Sequence, residues 1–196
     1  MLENTQGFVN DANHAVGVSS PQNKQWYIAV VRLNTERSSS KKLAALGYEV
    51  FLPVQKEVCL WENGRKRLCE RVLFPGIIFI RLTEEQRRIV VALPYIDCFM
   101  VNRSGLVNSY NRHPLAIISD EQIEQLKLLM CKSNSDISVN ASNLKIGDKV
   151  RVVRGDLIGL EGHVCRNRNG HSCLAIILDN IGCATVKISL DDVVRI

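Results

Sequence analysis

A chain of 196 residues with 46% hydrophobic and 23% charged residues has room for one domain or two small ones, and its composition is that of an ordinary soluble globular protein. Its longest apolar runs fall well short of the roughly 18 to 20 residues of a transmembrane helix, which excludes a helical membrane protein. The formal charge of +5 is concentrated: residues 24–132 carry 17 Lys and Arg against 11 Asp and Glu, and residues 145–196 carry 8 against 6. That balance suits a polyanionic partner, and equally a solvated surface.

Residues 1–23 mix Asn, Gly and Ser with single apolar residues. They lack the basic start and apolar block of a secretory signal and read as a disordered tail on a cytosolic protein. WYIAVVRL, from Trp26 to Leu33, predicts a strand, and a polar helix follows that ends in KKLAALG with Gly47 as its C-terminal cap. YEVFLP predicts a second strand. The stretch VQKEVCLWENGRKRLCERV reads as a long hairpin, because Asn63-Gly64 suits the positive backbone angles of a two-residue turn. Such a turn sets Cys59 opposite Leu68 and Val58 opposite Cys69, with the two thiols on opposite faces.

RVLFPGIIFIRL then places Pro75 and Gly76 inside an apolar run, where neither fits a strand. IIFIRL predicts a strand, Thr83 to Gln86 a capping box, and the helix behind it carries Ile89, Val90 and Leu93 on one face. CFMVN predicts a further strand. Ser119 to Gln122 is a second capping box, opening a helix with Ile123, Leu126 and Met130 on one stripe. This order suits an α+β fold, one antiparallel sheet with helices on one face. The strands do not alternate, however: in IIFI and WYIAVV both faces are apolar. Either the chain covers its own sheet twice, or the open face docks another protein.

CKSNSDISVNASNL, rich in Ser and Asn, reads as a linker over 133–144. Beyond it KVRVV, GHVCR, CLAIIL and TVKISL predict short strands of a small β-barrel over 145–196. Its many β-branched residues and closely spaced glycines oppose a helical alternative.

Seven cysteines without a CxxC pair fit a reducing compartment. His163, Cys165, His171 and Cys173 form two His-x-Cys pairs whose spacing matches no familiar zinc pattern, so no metal is expected. Gly155, Gly159 and Gly162 precede no helix with Lys-Ser/Thr and read as barrel turns. No catalytic arrangement stands out, so neither enzyme activity nor a cofactor is expected.

WYIAVVR, the basic hairpin, LFPGIIFI, ALPYIDCFMV and GDKVRVVRGDLIGLEGHV together, and in this order, resemble the NusG family of transcription elongation factors. The resemblance covers residues 25–196. It implies an NGN domain over 24–132 and a KOW barrel over 145–196. It further implies that the first docks an apolar concavity on the clamp coiled coil of RNA polymerase and suppresses pausing or termination, while the second recruits a ribosomal protein, Rho or another factor. By matching motif, Phe74, Pro75, Gly76, Ile77, Phe79 and Phe99 fall in the polymerase-facing blocks, and Arg32 matches a basic position used near the non-template DNA strand. Arg65, Lys66 and Arg67 at the hairpin tip are candidate nucleic-acid contacts by their charge. The family usually has an aromatic residue in place of Ile77 and Gly in place of Tyr95. These departures suggest a specialised paralogue like the UpxY antiterminators of capsular polysaccharide operons. The alternative is a ribosome- or RNA-binding KOW protein. If Ile78 and Ile80 pack on the helices, Ile77 and Phe79 are expected to look outward.

Overall fold

The computed structural model describes residues 23–60, 64–133, 137–140, 146–167 and 169–196. The expected tail, most of residues 1–23, and parts of the expected linker and hairpin tip lie outside the described residues.

The first half builds an antiparallel sheet from β1 (Gln25–Val30), β2 (Glu49–Phe51), β5 (Ile77–Leu82), β6 (Cys98–Phe99) and β7 (Ile117–Ile118), in the order β2-β5-β1-β6 with β7 also paired to β1. Between β2 and β5, β3 (Val54–Leu60) and β4 (Lys66–Val72) form a separate two-stranded ribbon. Helix α1 (Glu36–Ala45) follows β1, α2 (Glu84–Val90) follows β5, and α3 (Asp120–Lys132) follows β7.

Local signals set the helix ends as expected. Gly47 takes φ +84° just past α1 and donates its N–H to Ala44 O at 2.9 Å. Both capping boxes form: Thr83 with Gln86 before α2, and Ser119 with Gln122 before α3. In α2 only Val90 is fully buried, with Leu93 packed beside it, while Ile89 is 62% exposed. Consecutive residues of a helix point about 100° apart, so the side that buries Val90 leaves Ile89 turned to solvent.

The register of β1 on β5 pairs Tyr27 with Ile80, Ile28 with Phe79 and Ala29 with Ile78. Alternation then sorts the strands into two faces. Tyr27, Ala29, Ile78 and Ile80 pack with Leu43 of α1 and Val90 of α2. Trp26, Ile28 and Phe79 belong instead to the cluster containing Ile123, Leu126 and Leu129 of α3. The α+β fold is as expected, but the helices lie on both faces rather than one. Of the two explanations for all-apolar strands, the chain covering its own sheet twice is the one observed.

The second half is a six-stranded antiparallel sheet in the order β13-β9-β10-β11-β12-β8, made of β8 (Ser138–Asn140), β9 (Ile146–Val152), β10 (Glu161–Arg166), β11 (Ser172–Leu178), β12 (Gly182–Lys187) and β13 (Val193–Arg195). The four expected strands are present. β8 is an addition from the segment read as linker, held to β12 by pairing and by Thr185 Oγ1, which donates to Ser138 O at 3.1 Å. Val150, Val152, Leu160, Leu174, Ile176 and Val186 are buried in the same continuous core as α3. Polar contacts join the halves: Gln125 Oε1 accepts the Glu161 N–H at 3.2 Å, and Lys132 Nζ donates to Ile158 O at 2.6 Å. At the ribbon's base, Gln55 Oε1 accepts the Ile137 N–H at 3.2 Å while Arg71 Nη2 donates to Ile137 O at 3.1 Å. No described helix is long and apolar enough to cross a membrane.

Candidate functional site

Pro75 and Gly76 make a corner. Ile77 donates its N–H to Phe74 O at 3.2 Å, closing a four-residue turn with Pro second and Gly third, and Gly76 takes φ +76°. This is the arrangement of a type II turn, in which proline presets one angle and only glycine takes the next without strain. Several polar backbone groups around it are tied down. Val31 N–H donates to Gly76 O at 2.9 Å, Leu73 N–H donates to Pro53 O at 2.8 Å, and Gly76 N–H donates to Glu36 Oε1 at 2.7 Å. A Cβ on Gly76 would also press on Leu33 Cδ2 at 3.3 Å. The corner turns the chain from the projecting ribbon back into the sheet, beside the end of β1.

The expected polymerase-facing residues do not share one surface. Phe79 is fully buried, stacked on Phe51 with ring centroids 5.9 Å apart and edge-on to Phe74 at 6.0 Å. Phe74 is buried with it. The outward orientation expected for Phe79 is therefore overturned, because the apolar stripe of α3 lies over that face. Periodicity tells which residues share a face but not what covers it. Phe99 belongs to the opposite core, edge-on to Tyr27 at 5.8 Å and beneath the Arg87 guanidinium at 5.8 Å. What remains accessible at the corner is Pro75, half-buried Ile77 and Leu33, which is 62% exposed, with Arg32 exposed next to them.

The β3–β4 ribbon stands beside this corner. Its register pairs Glu57 with Cys69, Val58 with Leu68 and Cys59 with Arg67, one residue away from that expected for a two-residue turn at Asn63-Gly64. The expected pairings of Cys59 with Leu68 and of Val58 with Cys69 fall with that register, and the side chain of Cys59 lies outside the described residues. Arg65, Lys66 and Arg67 are all exposed near its tip, and Val58 and Leu68 face each other, each 63% exposed. The base is fastened by Arg37, which pairs with the Glu70 carboxylate and donates from Nη2 to Glu70 O at 3.0 Å. Arg71 pairs with Glu57 at 3.0 Å.

Elsewhere the charged groups serve structure. Arg87 donates to Glu84 from Nε at 2.7 Å and from Nη2 at 2.6 Å, and these bonds hold the Glu84 carboxyl down to about 2. In the second half Cys165 stands directly opposite Cys173, buried with Ala175 and Cys183. Burial, with smaller contributions from the two neighbouring thiols, pushes Cys165 up to about 11. Among the described residues no group of three or more His, Cys, Asp or Glu is placed to hold a metal ion.

Three features had no sequence signal. Leu33 reads as the end of a strand yet stands at the exposed corner. Glu36 reads as an ordinary first-turn helix residue yet reaches the corner's backbone. Gln55, Arg71, Gln125 and Lys132, which tie the halves together, are polar residues whose partners lie far away in sequence.

The family model described as "Transcription termination factor nusG" matches residues 24–127, the half that carries this corner. Proteins named "Transcription termination/antitermination protein NusG" from Neisseria meningitidis serogroup B and Streptococcus pyogenes serotype M3 are similar to the chain. The first is 23% identical over 152 residues, covering 72% of this chain and 80% of the relative. The second is 29% identical over 140 residues, covering 70% and 71%. A solved structure titled "Domain interaction in Thermotoga maritima NusG" aligns over 88% of this chain and 97% of its own, at 19% identity and a TM-score of 0.41. With more than half of its length matched by the family model, the chain belongs to the NusG family of transcription termination/antitermination proteins.

Proposed function

We propose that this protein binds RNA polymerase through its first half and suppresses pausing or termination, serving a restricted set of operons of the capsular polysaccharide type. The reading rests on one observation: an apolar corner of exposed Leu33 and Pro75 and half-buried Ile77, shaped by the Gly76 turn, lies in the family-matched half beside a basic ribbon. Pro75 and Ile77 meet the clamp coiled coil, Phe74 and Phe79 support them from beneath, and Phe99 fixes the far side of the sheet. Arg32, with Arg65, Lys66 and Arg67, contacts the non-template DNA strand or an acidic surface near it, where phosphate contacts are strongly salt-dependent. The second half, 145–196, joined through 133–144 to the unit 24–132, meets a ribosomal protein, Rho or another factor. Family membership over residues 24–127 supports this over a ribosome- or RNA-binding KOW protein, which has no need of the first half.

Single-round transcription tests it. Addition of the protein should shorten pauses and raise read-through at a terminator, and changing Arg65, Lys66 and Arg67 together to Ala should reduce that gain and flatten its salt dependence. Pause lifetimes and read-through identical with and without the protein, on its own operons and on others, would refute the proposal.

A further inference from the structure

Between Val101 and Leu115, which pair across an isolated bridge, residues 102–114 leave the edge of the first sheet as a finger that the polymerase proposal does not use. Its base is zipped. Asn102 N–H donates to Pro114 O at 2.8 Å, and Gly105 lies so close that a Cβ there would come within 2.5 Å of the Pro114 ring. Its tip is tied by one side chain: Asn108 Oδ1 accepts the N–H groups of Tyr110 and Arg112, both at 3.0 Å. Backbone bonds from Asn108 to Arg112 O and from Asn111 to Asn108 O, each 2.9 Å, complete the turn. Asn111 takes φ 56°, a left-handed conformation that asparagine tolerates better than most residues.

This frame holds side chains out rather than in. Leu106 is 94% exposed and Tyr110 82%, the highest values among the large apolar side chains described. Arg103, Arg112 and His113 are exposed around them, and residues 98–119 contain no Asp or Glu. A tied backbone leaves only the side-chain torsions of Tyr110 to be ordered when it binds. An aromatic platform flanked by cations, with no carboxylate to repel phosphate, is the chemistry that single strands select, because every unpaired base offers a face to stack.

We infer that the finger 102–114 is a contact for a single-stranded polynucleotide, with Tyr110 stacking on a base and Arg103 and Arg112 on its phosphates. It is distinct from the ribbon tip, and the variants of Tyr110, Arg103 and Arg112 separate the two, because they leave Arg65, Lys66 and Arg67 in place.

The test uses the full chain and fluorescein-labelled oligo(dT) and oligo(rU) of about 16 nucleotides, within the range of single-strand site sizes. Anisotropy is followed across a salt series, and each variant's melting temperature is measured beside it. Tyr110→Phe should bind like the parent. Tyr110→Ala, and Tyr110→Leu, which keeps bulk without an aromatic face, should each weaken binding about tenfold at unchanged melting temperature. Arg103→Ala with Arg112→Ala should reduce the slope of log affinity against log salt by about 1.4, two phosphate contacts on a single strand. Binding through either oligonucleotide with this dependence upholds the inference, and the comparison of the two shows whether DNA or RNA is preferred. Absence of binding to both at low salt would overturn it. So would stably folded Tyr110→Ala and Tyr110→Leu variants that bind as tightly as the parent, or competition by polyglutamate as effective as by unlabelled oligo(dT).

Discussion

Glu36 and Gly76, 40 residues apart in the chain, meet inside the protein, where the Glu36 carboxylate accepts the Gly76 N–H at 2.7 Å. The glutamate is only 4% exposed. It therefore joins the first turn of α1 to the corner that separates ribbon from sheet, and it satisfies a backbone donor that no strand partner reaches. Glu36→Ala should leave that donor buried and unpaired, at a cost of about 1 to 3 kcal/mol. Glu36→Gln retains an acceptor and should cost less. Urea denaturation of both variants checks the order; equal stability of the two would show that the contact does not hold the corner.

The burial of Phe79 leads to a second expectation. Phe79 and Ile80 sit on opposite faces of β5, and both are fully buried. Phe79→Ala should destabilise by about 3 to 5 kcal/mol and Ile80→Ala by about 2 to 5 kcal/mol, since each opens a cavity. Melting temperatures of the two variants decide the matter. A Phe79→Ala protein as stable as the parent would mean that α3 does not close that face in solution.

The contrast between α3 and its capping box shows what was legible in sequence. The box at Ser119 to Gln122 is a contact between neighbours in the chain, so residue types at fixed spacing reveal it. The face that α3 covers depends on Trp26, Ile28 and Phe79, which are remote in sequence, and an apolar stripe does not name its partner. The Pro75-Gly76 corner was legible as a break for the same local reason. Its acceptor, Glu36, was not. The ribbon's register slipped by one residue because Asn-Gly admits a two-residue turn without requiring it, and β8 was hidden because Ser and Asn are poor strand formers that only pairing with β12 makes extended. The candidate polymerase-facing residues were legible as a motif, but the motif mixes supports with surface: Phe74 and Phe79 lie beneath what Leu33, Pro75 and Ile77 present, and Phe99 is buried in the core on the opposite face.

The thiols should differ sharply in reactivity. Cys98 and Cys131 are exposed, whereas Cys165, Cys173 and Cys183 are buried and burial raises all three, Cys165 to about 11. The thiolate is the reacting species. At pH 8 an alkylating reagent should modify Cys98 and Cys131 quickly and the buried trio only on unfolding, as peptide mass mapping would report. Fast labelling of Cys165 in the native protein would contradict the packing described.

Acid should act through Glu84. Its folded value of about 2 lies below the ordinary 4.5, chiefly through the Arg87 hydrogen bonds. The stabilisation is thus fully present above about 4.5 and is lost as the pH falls towards 2. Because the Glu84 side chain is 49% exposed, solvent limits the effect to less than about 1 kcal/mol. Carbon chemical shifts of the Glu84 carboxyl should titrate near 2 in the parent and closer to the ordinary value in Arg87→Met. A parent midpoint near 4.5 would exclude the pairing in solution.

The most direct measurement is the affinity of the full chain for core RNA polymerase, taken for the parent and for Leu33→Asp and Ile77→Asp, with melting temperatures measured alongside. Leu33 is exposed and Ile77 half-buried, so Leu33→Asp in particular should fold normally. A charge at the centre of a docking surface should remove about 2 kcal/mol or more of binding, some thirtyfold or greater. The parent should bind, and both variants should bind more weakly by about thirtyfold or more, with Leu33→Asp melting at the parent's temperature. No binding by the parent, or a correctly folded Leu33→Asp protein that binds as the parent does, would contradict the claim that this corner meets the polymerase.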